Sequence, residues 1–316
     1  MSKSVRSLSD VRTRNDLMKL LEEAMNTSAH ALIEEQRLAA GTNLVKSFII
    51  ESNCRGPQEL AQIRGKVSSR LHETDDSDLN YVEISRNKKR CPFLLDTSDE
   101  RFWLFHTLER SEMSKWAIDG LVRSPMSRLD YVWLSRQFLT SFVADVEMSE
   151  FSAKFDSAIP ENQYEKFISQ MSIRVWGGAS QRALRSLQET DLGYTVSLSA
   201  VRARFKLDNG YADERLTRRG LASASGTSAV VHMQTIDRVK QRYRKHVEEI
   251  EKESKSARSL RDVAPHYLTV PGGISDVRLF VERLSANMHS LRIFGVPFRI
   301  APEFYSIPAI DLHNGD

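Results

Sequence analysis

The chain has 316 residues, 41% of them hydrophobic and 28% charged, with 14 Gly and 9 Pro, which excludes disordered and fibrous classes and allows a substantial core. Forty-five Lys and Arg against 42 Asp and Glu leave a net charge of +3. No whole-protein field therefore implies nucleic acid, and only local basic patches can do so. Cys54 and Cys91 stand alone in the sequence, far from a disulfide framework or a CxxC metal knuckle, and fit a reducing compartment. The first residues lack an apolar h-region and no run of about 18 apolar residues occurs. The expectation is a cytoplasmic protein with neither secretion signal nor membrane span.

Residues 1–78 read as a helical N-terminal region. Asn15 or Asp16 can cap a helix on which Leu17, Leu21, Met25, Leu32 and Leu38 recur, at helical spacing. Gly41-Thr42-Asn43 interrupts it before Leu44, Val45, Phe48 and Ile49, and Asn53 to Pro57 is a stop. Pro57 then suits the first position of a second helix with Leu60, Ile63, Val67 and Leu71 on one face. An antiparallel helical pair over 1–72 follows, serving as a flank of the main domain or as an oligomerisation arm. The acidic stretch Glu73 to Asp78 lacks the glycine and the bidentate glutamate of a calcium loop and reads as a linker.

Residues 79–316 read as an α+β domain. Tyr81 to Ser85, the basic turn Arg86-Asn87-Lys88-Lys89-Arg90, and Pro92 to Leu95 outline a hairpin. Arg101 to Leu108 makes a third, buried strand, and Ser111 to Arg123 a helix. Trp103, Trp116 and Trp133 fall together and mark a core or, as the sharper alternative, a stacking platform for bases. Strands follow at Phe151–Asp156 and Phe167–Trp176, then a short helix from Ser180 to Leu187.

Residues 194–207 carry a parity change. Tyr194, Val196 and Leu198 share one face, whereas Val201, Ala203, Phe205 and Leu207 share the other, so an irregularity is expected at Ser199–Val201. Beyond it Arg202, Arg204 and Lys206 point together, and Asp208-Asn209-Gly210 is a hairpin turn. A long helix spans 229–255, with an apolar seam at Ile236, Val239, Tyr243, Val247 and Ile250 that suits one partner face. Its cations Arg238 to Lys245 precede its carboxylates Glu248 to Glu253, an order opposed to the helix dipole. Pairing with a second copy, or contact with phosphates, would favour that order. A strand at His266–Val270, a helix at Ser275–Asn287 and a strand at Leu291–Ile300 complete the chain.

No P-loop, GxGxxG, HExxH, CxxC or GxSxG is present, so the motifs name no catalytic residue, and no cofactor or metal site is expected. Glu253-Ser254-Lys255 has the letters of a nuclease ExK but ends a helix, and Asp311, His313 and Asp316 lack a second ligating segment. His106 on an apolar strand reads as a core residue. Gly226, Thr227 and Ser228 precede a helix and either cradle a phosphate or simply cap it. The basic clusters carry the functional signal: Arg86, Lys88, Lys89 and Arg90; Arg202, Arg204 and Lys206; Arg215, Arg218 and Arg219. Adjacent in space they form a phosphate-binding groove; scattered, they are solvated surface or dock an acidic partner. The fold expected is a mixed, mainly antiparallel sheet flanked by helices. The function expected is a non-enzymatic binding or assembly protein that contacts DNA or RNA, forms homo-oligomers or joins partner subunits through its helices, and does not touch membrane. An effector or enzyme of a phosphate-containing substrate, and a structural oligomer without ligand, are the alternatives.

Overall fold

The computed structural model describes residues 7–35, 44–63, 65–125, 127–155, 172–189, 196–208 and 210–255, with short pieces at 276, 279, 291–293, 298–301, 304–306 and 309–311. Helix α1 (Arg14–Glu35) precedes strands β1 (Val45–Ser52), β2 (Ser68–Glu73), β3 (Leu79–Arg86), β4 (Lys89–Asp96) and β5 (Phe102–Thr107). Next come α2 (Ser111–Val122), β6 (Leu129–Tyr131), α3 (Arg136–Phe142), β7 (Glu147–Phe155), β8 (Ser172–Trp176) and α4 (Ser180–Glu189). Strands β9 (Val196–Leu207), β10 (Gly210–Thr217) and β11 (Leu221–Gly226) lead into helix α5 (Ala229–Lys255). Four short strands, β12 (Leu291–Ile293), β13 (Phe298–Ala301), β14 (Phe304–Ser306) and β15 (Ala309–Asp311), pair β12 with β15 and β13 with β14.

One sheet of 11 strands organises the rest, in the order β2-β3-β4-β5-β1-β11-β10-β9-β7-β8, with β6 also on β1. Every pairing in it is antiparallel, and with its flanking helices it makes an α+β fold. The first face buries Leu17, Leu21 and Met25 of α1, Phe138 and Phe142 of α3, Leu184 of α4, and Ile236 and Val239 of α5 against strand residues such as Val45, Ile49 and Phe151. The second face is apolar only on one half, where Phe48, Phe93, Phe105 and Trp103 pack on Ala117, Ile118 and Leu121 of α2 and on Leu60 and Ile63. The dense aromatic stretch is therefore packing, with Phe93 edge-on to both Phe48 and Phe105.

The expected helical pair over 1–72 is corrected. Among the described residues α1 is the one α-helix there; Leu44 to Ile49 leads into and forms strand β1, Pro57–Gln62 is a short 3-10 helix, and Ser68–Glu73 is strand β2. The spacing of Leu44, Val45, Phe48 and Ile49 imitates a helix because β1 is covered on both faces, so its apolar residues run on instead of alternating. The sheet is continuous across residue 78, which is no boundary among the described residues. Gly41 to Asn43 and Leu38 lie outside the described residues, as do the expected strand at 266–270 and, apart from 276 and 279, the expected helix at 275–287.

Other expectations fit. The β3–β4 hairpin turns at Asn87, whose φ is 56°, and β9 and β10 are joined as expected, Leu207 opposite Gly210. In β9 the register against β7 shifts where Ser152 and Ala153 face Ala200 and Leu198. Ser199 is thus the extra residue, and the parity change is a β-bulge. A second shift between Met148 and Glu150 makes Ser149 the extra residue of β7.

Helix α5 spans the expected residues, but Ile236 and Val239 are each 1% exposed in the chain's own core. Its charge order also has an internal reason. Arg244 donates to Asp99 at 2.5 Å, while Arg101 donates to Glu251 at 2.6 Å. The loop between β4 and β5 thus offers an anion to the basic stretch and a cation to the acidic one, offsetting the unfavourable dipole. The side chain of Ile250 lies outside the described residues.

Candidate functional site

The second face of the sheet changes character at β11. Between β11 and β8 its residues are polar, and the antiparallel register sets them in rows across the strands. In one row Trp176 of β8 faces Glu150 of β7, which faces Arg202 of β9. Arg202 faces Arg215 of β10, Arg215 faces Ser223 of β11, and Ser223 faces Lys46 of β1. A neighbouring row sets Glu147, Arg204, Asp213 and Ser225 side by side. The bulge at Ser149 brings Glu150 onto this face, and the bulge at Ser199 brings Arg202 and Arg204 onto it.

Glu150 is the hub. It is 3% exposed; Arg174 donates to it at 2.7 and 3.0 Å, Arg215 at 3.4 Å, and Arg202 Nε lies 3.7 Å away with no hydrogen-bond partner. Burial pushes its carboxyl up, but the Arg174 hydrogen bond and the charges of Arg202, Arg174 and Arg215 outweigh this and hold it below the ordinary value. Three cations on one carboxylate leave local positive charge, and these arginines keep between a quarter and a half of their surface in water. Two rings lie among them. Arg174 stacks 4.9 Å from Trp176, which is 62% exposed, and Arg204 lies 4.7 Å from Tyr211 while paired with Asp213 at 2.7 Å. Lys46, 3% exposed, ends the row, and burial pushes its amine down to about 8.

The structure therefore gathers Arg202, Arg204 and Arg215, with exposed Lys206 opposite Tyr211 at the edge of the same face. Arg218 and Arg219 sit just beyond, in the turn from β10 to β11. Gly220 closes that turn at φ +71°, where a Cβ would lie 2.3 Å from Val132 and 2.9 Å from the Ile49 carbonyl, so only glycine fits. Arg86, Lys88, Lys89 and Arg90 are not brought in. They lie on the β3–β4 hairpin, four strand steps or about 19 Å from β10; there Lys89 covers Trp116 and Arg90 faces Glu83 at 3.8 Å.

The Gly226–Ser228 corner is occupied from within the chain. The N–H groups of Thr227 and Ser228 both donate to the Tyr211 carbonyl, at 2.9 and 3.2 Å. Thr227 Oγ1 accepts from Tyr211 N, and Ser228 Oγ accepts from Val231 N as a helix cap. The capping alternative is what these atoms do. Sequence reasoning missed Glu150, Arg174, Trp176, Tyr211 and Lys46, which lack any local signature; only the strand register reveals them.

It also missed a buried polar chain on the first face. Ser47 Oγ lies 2.7 Å from His106 Nδ1 and 2.9 Å from His232 Nε2, and His232 Nδ1 lies 2.5 Å from Glu214 Oε1. All four residues are at most 2% exposed. The carboxylate fixes the tautomers: His232 donates through Nδ1 to Glu214, Ser47 donates to His232, and His106 donates through Nδ1 to Ser47. Burial pushes His106 down to about 3, which keeps it neutral, and its Nε2 has no partner. His106 is thus a core residue as expected, yet one held by a relay. The order Ser–His–Glu has the connectivity of a hydrolase triad, but it is sealed from water, and substrate has no route to Ser47.

Among the described residues no cluster of three or more His, Cys, Asp or Glu can hold a metal ion, and no helix is long and apolar enough to cross a membrane. The sequence pattern of the MJECL33-like protein family matches residues 5–316. The chain is similar to the uncharacterized protein MJECL33 of Methanocaldococcus jannaschii, at 23% identity over 352 aligned positions that cover 98% of this chain and 85% of that protein.

Proposed function

This chain belongs to the MJECL33-like protein family, and we propose that it is a non-enzymatic, cytoplasmic protein that binds single-stranded nucleic acid across the polar half of its sheet. The observation that supports the reading is the convergence of Arg174, Arg202 and Arg215 on Glu150 beside the exposed Trp176 ring. One carboxylate fixes three guanidinium groups in place without neutralising them, so they are pre-organised for phosphate oxygens. Trp176 and Tyr211 offer flat surfaces to bases, and base-on-ring stacking contributes about 1–3 kcal/mol per base without regard to sequence. A sheet that presents rings and cations on one face is the arrangement that recognises single strands. Both cysteines are free thiols, in keeping with a reducing compartment.

Fluorescence anisotropy of labelled single-stranded DNA and RNA tests the reading. About three phosphate contacts give a log–log salt slope near −2, or roughly a 20-fold loss of affinity between 50 and 200 mM salt. The double substitution Arg174→Ala with Arg202→Ala is expected to remove about two contacts from the slope, and Trp176→Ala to weaken binding about tenfold with the slope unchanged. Absence of binding at low salt rejects the proposal.

A further inference from the structure

A cleft of about 290 Å³ opens on the same face, beyond the arginine row. Thr217 follows Arg215 by two residues on β10, so the cleft begins about 7 Å along the strand from the Glu150 cluster. Its floor is Phe48 and Leu221, the last apolar residues before the face turns polar. The β9 bulge sets Ser199 at its edge, where the hydroxyl donates to the Ser152 carbonyl at 3.0 Å, and the β10–β11 turn brings Arg218 and Arg219. Helix α2 closes the far side with Lys115 and Asp119, one turn apart.

The wall is the most organised part. Tyr131 hydrogen-bonds through its hydroxyl to Asp119 Oδ1, Arg219 lies 3.9 Å from the same oxygen, and its guanidinium stacks 5.2 Å from the Tyr131 ring. Arg218 is likewise ordered over Trp133, at 4.8 Å. Lys115, Arg218, Arg219 and one carboxylate thus line the cleft, the carboxylate being oriented by a phenol and an arginine. Such a site takes an anion joined to a group that can donate to the carboxylate, and at this volume it takes a small one.

We propose that the cleft is a nucleoside monophosphate site. Lys115, Arg218 and Arg219 receive the phosphate, Asp119 accepts from a ribose hydroxyl, and the base lies beside Tyr131. The proposal goes beyond the strand-binding reading and is separable from it, since different residues carry it. The ligand can be a free mononucleotide or the terminal nucleotide of a strand, because both present the same group.

Isothermal titration of the full chain at low salt with AMP, adenosine and inorganic phosphate, each alone, tests it. Saturable AMP binding at one site is expected, with adenosine and phosphate each at least tenfold weaker. Lys115→Glu, on the exposed face of α2, is expected to weaken AMP about tenfold or more, as is Arg219→Ala; Lys115→Glu keeps the test valid if the second variant fails to fold. No saturable AMP binding, AMP affinity unchanged in Lys115→Glu, or phosphate as tight as AMP would overturn the assignment. Single strands bearing or lacking a terminal phosphate separate the two ligand sources: preference for the phosphorylated end assigns the terminal nucleotide, and equal binding with AMP affinity retained assigns the free one. A chain that binds AMP but no strand keeps this inference and removes the proposed function; a chain that binds strand but not AMP does the reverse.

Discussion

The two halves of the second sheet face are built on the same strands' geometry and differ only in what those strands carry. From β2 to β1 the face holds Val82, Ile84, Phe93, Phe105 and Phe48 under α2. From β11 to β8 it holds Ser223, Arg215, Arg202, Glu150 and Arg174. The first half needs its apolar residues, since they are one of two layers that keep it folded. The second half is secured through its other face, where Phe151, Val201, Phe205 and Leu216 pack beneath α3, α4 and α5. Stability there depends less on the polar residues than on the apolar ones beneath, so their identities are available for a ligand.

Substitutions sharpen that contrast in descending order. Phe93→Ala, at a site 0% exposed between two rings, is expected to cost about 3–5 kcal/mol in denaturant unfolding, since a large ring leaves a cavity. Ser47→Ala probes the covered face; it strands two ring nitrogens and is expected to cost about 2–3 kcal/mol. Glu150→Gln is expected to cost about 1–2 kcal/mol, because its arginine partners remain partly in water. Since the Glu150 carboxyl is held below its ordinary value of 4.5, its contribution is present above that value and lost as pH falls through the lower, folded one. The glutamine variant should therefore show a flatter acid limb in stability against pH, and an unchanged limb would mean that the arginines do not hold this carboxylate. Arg90→Ala, removing an exposed pair with Glu83 at 3.8 Å, is expected to change stability by less than about 0.5 kcal/mol.

Features set by neighbours in the chain were legible in the sequence. The parity change from Leu198 to Val201 located the β9 bulge, and the turn residues after Ser85 and Leu207 located two hairpins. Helix α5 was legible because its seam repeats over several turns. Strand β1 was not, because a strand covered on both faces loses the alternation by which strands are recognised. Half of the site was visible as charge: Arg202, Arg204 and Lys206 share a parity. Their counter-ion was not visible, since Glu150 reaches Arg202 only through the pairing of β7 with β9. The relay through Ser47 was equally hidden, joining residues 59 and 185 positions apart.

That relay bears on how the chain finds its shape. Strand β1 must wait for β5 and for β11, far along the chain, before it can be enclosed, and such late, long-range closure is slow and open to mispairing. A slip of one residue would drive Lys46 under α5 in place of Ser47, putting an amine against His232 and Ser47 among the phenylalanines. Only one alignment lets the hydroxyl meet both imidazoles. The polar thread through the core thus works as a proofreading mark, penalising a misthreaded central strand more heavily than any apolar residue at that position would.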